Sequence, residues 1–240
     1  MRASRWVMVA LFVVSAVVVV EAQQPRQGGG FGQVNVYNAV LTNKDLQEDL
    51  KVTDAQKEKF KAPADKLAEL NKKRGELFKG GFKNFDKEKS AEIQKESETL
   101  NAEIKKSVTE ILTPDQVKRL GQIEIQAKGL GAFSDEKIAK DLAINEGQTS
   151  KIKGIMEEYA KDTKDLRGGG GGKNFDKEKA AENQKKREKL TKAAMADIDE
   201  TLTAEQKAKW KELTGDAFDT SKLRQGFGGF GGGNKNKTKD

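Results

Sequence analysis

Apolar residues recur along most of the chain at spacings of three, four and seven positions. Two such stripes consist of Ile93, Leu100, Ile104, Val108 and Ile111 in the first half and Leu190, Ala194 and Ile198 in the second. This period places apolar side chains on one face of an α-helix. Apolar and polar residues alternate only over Val34–Tyr37, a segment too short to indicate a strand. The pattern therefore predicts an all-α fold.

The chain repeats itself at an interval of about 90 residues. The ten residues from Lys83 match the ten from Lys173 at nine positions, and the two segments start 90 positions apart. At the same interval, Leu112–Gln116 (LTPDQ) recurs as Leu202–Gln206 (LTAEQ). Matched segments in the same order indicate a tandem duplication. We therefore expect two helical-hairpin repeats of about 90 residues each.

Glycine-rich segments separate and flank the predicted helices. Gly80–Gly81 and Gly168–Gly172 lie between the two long helices of each copy, where the chain is expected to reverse. Two segments near the ends of the chain, Gln23–Gly32 and Gly226–Asp240, contain too few apolar residues to offset the entropy lost on ordering. The predicted organisation is a flexible Gly-rich lead over 23–41, repeats over 42–133 and 134–219, and a disordered, Gly-rich basic tail over 220–240.

Residues 1–22 are typical of an export signal peptide. Arg2 and Arg5 precede an apolar run over 7–20, and Ala22 supplies a small residue at the cleavage point. The run is shorter than the roughly 20 residues of a membrane-spanning helix, which favours cleavage over a retained anchor. We expect a periplasmic or secreted protein, without stable membrane insertion once the signal is removed.

The composition argues against an enzyme. Cysteine and histidine are both absent, which removes disulfides, the commonest general base and the commonest transition-metal ligand. The 45 basic and 38 acidic residues are mixed along the chain rather than gathered into the basic stripe of a nucleic-acid-binding protein. We expect no catalytic, cofactor or metal site and no nucleic-acid partner.

Two short segments resemble ligand-binding loops but depart from them. Gly168–Gly172 is followed by Lys173 and Asn174, so the hydroxyl residue of a phosphate-binding loop is missing. The segment from Asn174 places oxygen side chains at alternate positions, as a calcium loop does. Lys179 and Lys185 stand where that loop requires glycine and glutamate. A helix cap with a packed phenylalanine explains the segment better.

An apolar residue, a capping residue, two spacers and a glutamine occur together four times. The four motifs are Val52-Thr53…Gln56, Leu112-Thr113…Gln116, Ile144-Asn145…Gln148 and Leu202-Thr203…Gln206. This is the spacing of a capping box, in which the cap side chain and the glutamine each accept a backbone N–H at a helix start. We expect loss of each cap threonine to cost about 1 kcal/mol, and loss of the glutamine to cost less.

An export signal followed by charged amphipathic helices with LTxxQ motifs resembles the Spy/CpxP family of periplasmic proteins. Two motifs are intact, two are degenerate, and Thr53 and Thr113 are 60 residues apart. The resemblance covers most of residues 42–218. It implies a curved helical cradle, formed in the family by two antiparallel protomers, and a function as an ATP-independent chaperone or a regulator of a sensor kinase. The chain differs from the family in its glycine-rich segments and lack of histidine.

The duplication suggests that one chain supplies both halves of such a cradle, as a pseudo-dimer. Candidate contacts for unfolded or envelope proteins are the stripe residues Phe60, Leu67, Ile93 and Leu100 in the first copy, and Ile152, Met156, Tyr159 and Leu190 in the second. The same side chains are candidates for the thin core of each hairpin, and both interpretations stay open. The alternative function is a structural or adhesive envelope protein with a helical spacer and a Gly-rich attachment tail.

Overall fold

The computed structural model describes residues 34–78, 86–167 and 176–224. About 84% of these residues are helical and none forms a strand, so the predicted all-α fold is confirmed. The α-helices are α1 (Val36–Ala39), α2 (Lys44–Asp49), α3 (Asp54–Phe78), α4 (Lys87–Ile111), α5 (Pro114–Lys128), α6 (Glu136–Asp141), α7 (Glu146–Asp162), α8 (Lys177–Thr201) and α9 (Ala204–Thr214). Short 3-10 helices occupy Gly129–Ser134, Asp165–Arg167 and Thr220–Arg224.

Helices α3 and α4 pack against each other as the first hairpin. Two ion pairs show that they run antiparallel: Lys66 lies 3.4 Å from Glu103, and Lys73, about two turns further along α3, lies 2.6 Å from Glu96, which precedes Glu103 on α4. Pro63 lies inside α3, and the helix continues through it without a break. The glycine turn predicted between these helices lies outside the described residues.

Helices α7 and α8 form the second hairpin, which is also antiparallel. The Tyr159 hydroxyl lies 3.0 Å from the Thr191 hydroxyl, and Arg187 donates to the Leu166 carbonyl oxygen at 2.9 Å. The predicted turn over Gly168–Gly172 also lies outside the described residues. In order along the chain, α6 to α9 follow the same sequence of short, long, long and shorter helices as α2 to α5.

The short helices α2 and α6 end with the same backbone arrangement. Lys51 and Ala143 have positive φ angles of 52° and 51°. After α2, the Lys51 N–H donates to Glu48 and the Val52 N–H donates to Gln47. These are the two hydrogen bonds of a Schellman motif, and the corresponding pair follows α6. The motif turns the chain sharply into the next long helix.

Buried apolar residues form two clusters, one in each half. The first core comprises Val36, Ala39, Val40, Leu41, Leu46, Leu50, Val52, Phe60, Leu70, Leu100, Ile104, Val108, Leu112, Leu120, Ile123 and Leu223. The second core comprises Leu130, Ala132, Phe133, Ile138, Leu142, Ile152, Ala194, Ile198 and Leu202. Helix α5 lies between them, since its Ile123 belongs to the first core and its Ile125 packs against the second.

The two ends of the described chain are more ordered than their composition indicates. Residues 34–41 were expected in the flexible lead, but Val36 and Val40 are buried in the first core because α1 packs on α4 and α5. The disordered tail was predicted from residue 220, but residues 220–224 form a 3-10 helix whose Leu223 is 1% exposed in the first core. The remaining lead and tail residues, 23–33 and 225–240, lie outside the described part. Among the described helices, none is long and apolar enough to cross a membrane.

Candidate functional site

All four LTxxQ-type segments form capping boxes at the starts of α3, α5, α7 and α9. At α5, the Gln116 N–H donates to the Thr113 hydroxyl at 3.4 Å, and the Thr113 N–H donates to Gln116 Oε1 at 2.9 Å. At α7, Asn145 takes the place of threonine and makes the same pair of bonds with Gln148. The apolar residues that precede the boxes are buried or half-buried, so each motif joins a helix start to a core.

The glutamines of the motifs also meet in pairs. In the first half, Gln56 Nε2 donates to Gln116 Oε1 at 2.7 Å, and Gln116 Nε2 donates back to Gln56 Oε1 at 3.2 Å. Their remaining amide hydrogens reach backbone carbonyls, Ile111 at 3.0 Å and Leu50 at 3.0 Å. We call this pair the first clasp. It connects the starts of α3 and α5 to the backbone just before each other's helix.

The second half contains the same arrangement, more deeply buried. Gln148 Nε2 donates to Gln206 Oε1 at 2.6 Å, and Gln206 Nε2 donates to Gln148 Oε1 at 3.0 Å. The backbone acceptors are the carbonyl oxygens of Thr201 at 2.8 Å and Ala143 at 3.1 Å. Only 8% of Gln148 and 9% of Gln206 is exposed. This pair is the second clasp.

The clasps are structural contacts. Every amide group in them is neutral, and each donor and acceptor is engaged by a backbone group or by the partner glutamine. A pair that is satisfied internally offers little to a ligand, but fixes the geometry of the elements it joins. The clasps therefore fix the position of each hairpin relative to the short helix before it and to the helix after it.

The candidate client-contact residues lie inside the hairpins rather than on an open face. Phe60, Leu100 and Ile152 are buried, which corrects the surface interpretation for these three. Leu67, Ile93, Met156 and Tyr159 are partly buried against the cores, and Leu190 is half-buried. In a two-helix hairpin, each helix has one face towards its partner, and the apolar stripe of each helix lies on that face. Apart from Pro114, the exposed apolar side chains whose burial the structure describes are all alanines.

Contacts between the halves depend on residues that no sequence motif singles out. Gln126 Nε2 donates to the carbonyl oxygens of Thr214 at 2.6 Å and Asp216 at 2.7 Å, and its Oε1 accepts from the Phe218 N–H at 2.8 Å. Arg119 binds Asp49 through two hydrogen bonds of 2.8 and 3.0 Å, and also donates to the Asp216 carbonyl. The segment after α9 is thereby held along α5.

Two further contacts complete this junction. Phe133 and Trp210 stack with ring centroids 4.5 Å apart, which joins the 3-10 helix Gly129–Ser134, directly after α5, to α9. At the other end, Lys222 pairs with Asp45 at 2.8 Å while its carbonyl oxygen accepts from Asn43. The final described residues of the second half thus contact the start of α2 in the first half, at its N-cap Asn43 and at Asp45.

Two depressions on the described part of the chain are lined mostly by residues of charged or polar type. One, of about 520 Å³, lies on the first hairpin among lysines and glutamates, including Lys66 and Glu103. The other, of about 450 Å³, lies between α1, α4 and α5 and contains Tyr37, Lys105 and Glu124. The lysine Nζ lies 4.8 Å from the centroid of the tyrosine ring.

Tyr37 has a perturbed titration. Burial, followed by the negative charge of Glu124 and a hydrogen bond to it, raises the pKa of the Tyr37 phenol from 10.0 to about 12. All three causes favour the neutral phenol.

Neither depression offers a nucleophile activated by a base, and the described residues contain no group of three or more acidic side chains that could hold a metal ion.

Comparisons with known proteins add no relative: a scan of family models, a search of curated proteins and a search of solved structures each returned no match.

Proposed function

We propose that this chain is an exported, non-enzymatic helical protein, similar to the Spy/CpxP family, that binds unfolded or envelope proteins in the periplasm without ATP. The observation that carries the proposal is the pairing of the four motifs in two clasps. The resemblance rests on those motifs, and each clasp uses both motifs of its half, Gln56 with Gln116 and Gln148 with Gln206. They act as one structural device in each half rather than as isolated helix caps.

We further propose that the two halves are copies of one duplicated unit and form a pseudo-dimer. Several matched features support a duplication: the order of helices, the Schellman motifs at Lys51 and Ala143, and the two clasps. The junction formed by α5, α9 and the segment after α9 would take the place of the interface between two protomers. A single chain would then provide both halves of the cradle that the resemblance implies.

The test is aggregation of an unrelated protein during thermal or chemical unfolding, with and without residues 23–240 of this chain and with no ATP. Suppression of light scattering at near-stoichiometric amounts is the expected result. An equally charged, inert protein at the same concentration is the control for crowding and ionic effects. Unchanged aggregation would contradict the chaperone proposal. A regulator of a sensor kinase would instead bind that kinase's periplasmic domain, which a pull-down with the isolated domain would detect.

The alternative, a structural or adhesive envelope protein, is favoured by one specific observation. Leu223 and Lys222 fix the chain against the first half immediately before the Gly-rich basic segment 225–240. A folded body with an attachment segment at a defined exit point suits a linker function. Deleting 225–240 distinguishes the two: binding to envelope polymers would be lost in the adhesive case, whereas suppression of aggregation would persist in the chaperone case.

A further inference from the structure

A short segment after α9 lies across the first half of the protein. We call residues 216–223 the strap. Its final part packs against α2 and α5, and Leu223 is 1% exposed in the first core. Phe218 is half-buried and packs against the same core. Most of the other strap side chains are exposed, so the strap depends on few of its side chains for docking.

Side chains of the first half bind mainly the backbone of the strap. Arg119 and Gln126 both donate to the Asp216 carbonyl oxygen, at 2.7 Å each, and Gln126 Oε1 accepts the Phe218 N–H at 2.8 Å. Asn43 donates to a further strap carbonyl oxygen at 2.8 Å. Nearly every residue type presents these backbone groups. The four hydrogen bonds would therefore form equally well with a segment of different sequence.

Two consecutive strap residues are recognised through their side chains. Lys222 forms an ion pair with Asp45, with Nζ and Oδ1 2.8 Å apart. The hydrogen bond to Asp45 and its charge, together with smaller effects of two nearby carboxylates, raise the pKa of Lys222. Leu223 enters the apolar core. This face of the first half, which we call the strap site, thus favours a basic residue followed by an apolar one. Its binding residues are Asn43, Asp45, Arg119 and Gln126.

The strap is held loosely compared with the helices that it covers. Its polar contacts would be exchanged for bonds to water on release, so their net stabilisation is small. The ion pair leaves 44% of the Lys222 side chain and 36% of the Asp45 side chain exposed, and such pairs contribute little. Leu223 is its only fully buried side chain. The strap should therefore detach at a lower free energy than that at which α2 and α5 unfold.

We propose that the strap site is a peptide-binding site and that the strap occupies it as an intramolecular inhibitor. The ligand in trans is a segment of a partner protein with the pattern that the site recognises in the strap. That pattern is an aromatic residue, three further residues, a lysine or arginine, and then an aliphatic residue. The docked strap shows how such a segment fits, and Asp45 selects its basic residue. This inference does not depend on the chaperone proposal.

The strap competes with such a partner at a high effective concentration, because it belongs to the same chain. A partner segment binds only those molecules whose strap is detached, and its apparent dissociation constant rises as that fraction falls. Weakening the strap without altering the site should therefore strengthen binding in trans. This sign is opposite to the loss of binding expected from a variant that only damages the fold.

Fluorescence anisotropy of a labelled synthetic peptide tests the proposal on the full mature chain. The probe has the sequence of residues 216–224, DAFDTSKLR. Lys222→Glu in the chain replaces the ion pair with Asp45 by a repulsion, so it should tighten probe binding about tenfold relative to the wild type. The matched control is Lys106→Glu at an exposed position of α4, which should leave probe binding unchanged.

Changes in the probe and in the site test the recognised positions. A probe with alanine in place of its leucine should bind the Lys222→Glu chain at least about tenfold more weakly. Asp45→Lys in the chain should invert the charge preference, so that a probe with glutamate in place of its lysine binds more tightly than the original probe. Partial unfolding of the chain does not produce such an inversion.

The Leu223→Ala chain provides an independent measurement, because the leucine of the probe can fill the vacated place in the core. The original probe should raise the Tm of this variant, and the alanine probe should not. Equal probe affinity for the wild-type and Lys222→Glu chains would show that the strap does not compete for the site. Absence of binding to both chains would show that the site accepts no segment in trans, and equal binding of a scrambled probe would show that it recognises no pattern. Each of these three results would overturn the inference.

Discussion

The side-chain amides of Gln148 and Gln206 donate to each other at the base of the second hairpin, with Nε2–Oε1 distances of 2.6 and 3.0 Å. Each Oε1 also accepts the backbone N–H of its own helix cap, and each Nε2 also donates to a backbone carbonyl. One pair of side chains thus satisfies four backbone groups around two helix starts. Because the pair is almost completely buried, water cannot easily replace either partner.

The first prediction concerns Gln206→Ala and Thr203→Ala. The threonine makes one cap bond, at 3.2 Å, on an exposed side chain, so its loss should cost about 1 kcal/mol. Loss of Gln206 removes one hydrogen-bond partner from each amide atom of Gln148 and takes the side-chain partner from two backbone groups, the Thr203 N–H and the Ala143 carbonyl, which should cost about 2–3 kcal/mol. Urea denaturation of the two variants measures the difference. This order is the reverse of what the capping-box pattern alone predicts.

Gln56→Ala is the matched control for the clasp. The first clasp has the same bonds but is only half-buried, so water can occupy the vacated positions and the cost should be smaller. In a double-mutant cycle, Gln148→Ala and Gln206→Ala together should cost less than the sum of the single changes, since each removes the same mutual bonds. Additive costs would mean that the two amides do not act as a pair.

The second prediction concerns the positive φ angle of Ala143. An L-residue in this conformation is strained by roughly 1–2 kcal/mol, and glycine is not, although glycine also loses more entropy on folding. Ala143 is exposed and belongs to neither core, so Ala143→Gly should stabilise the protein by about 0.5–1 kcal/mol. Ala193→Gly, on the exposed face of α8, should instead destabilise by about 1 kcal/mol. Thermal unfolding of both variants checks the opposite signs.

The helices and their starts could be predicted from sequence because they depend on local rules. The spacing of Ile93, Leu100 and Ile104 predicts a helix, and Thr113 with Gln116 marks where the next begins, without knowledge of any distant residue. The meeting of Gln56 with Gln116 was not predictable in this way, because it depends on how two helix starts approach across 60 residues of chain.

The ends of the folded body were mispredicted for a related reason. Composition indicates whether a segment can form a core by itself, but not whether the segment packs into a core formed by other parts of the chain. Leu223 lies in a segment with few apolar residues, whereas Val36 lies in an apolar segment, 34–41, that directly follows glycine-rich sequence. Each is buried by helices of the first half. The client-contact stripes raise the same problem: whether Phe60 faces a partner or a neighbouring helix is decided by the number of layers in the fold.

The third prediction concerns the titration of Tyr37, one of two tyrosines in the chain. Burial and Glu124 hold the pKa of its phenol at about 12, compared with 10.0 for an unperturbed tyrosine. In the unfolded chain the phenol loses its proton near the ordinary value, while the folded protein retains it. The stabilisation is therefore complete below pH 10 and is lost as the pH rises towards 12. Absorbance at the phenolate band should show a late-titrating phase that disappears in Tyr37→Phe.

The fourth prediction is that Leu223→Ala destabilises the first half. Leu223 is 1% exposed and fills the first core beside α2, although it lies in the last described segment of the second half. Removing its side chain should cost about 2–4 kcal/mol, as for other buried leucines. Denaturation measures this cost, and hydrogen exchange of the native variant should show the loss of protection in α2 and α5. Loss confined to residues after α9 would show that Leu223 packs only locally.

The last prediction concerns the independence of the two halves. A fragment of residues 34–133 lacks Phe218 and Leu223, which pack on the first core, and it carries Leu130 and Phe133, which pack in the second core. It should therefore expose apolar surface at both places and self-associate, whereas the full mature chain should be monomeric at the same concentration. Tethering places the second half at an effective concentration on the order of millimolar without any new contact. Light scattering coupled to size-exclusion chromatography measures both species. Shortening the fragment to 34–128 should reduce its association, because the exposed Leu130 and Phe133 are removed. A stable, monomeric fragment 34–133 would show instead that the halves fold independently, and the pseudo-dimer would have to be abandoned.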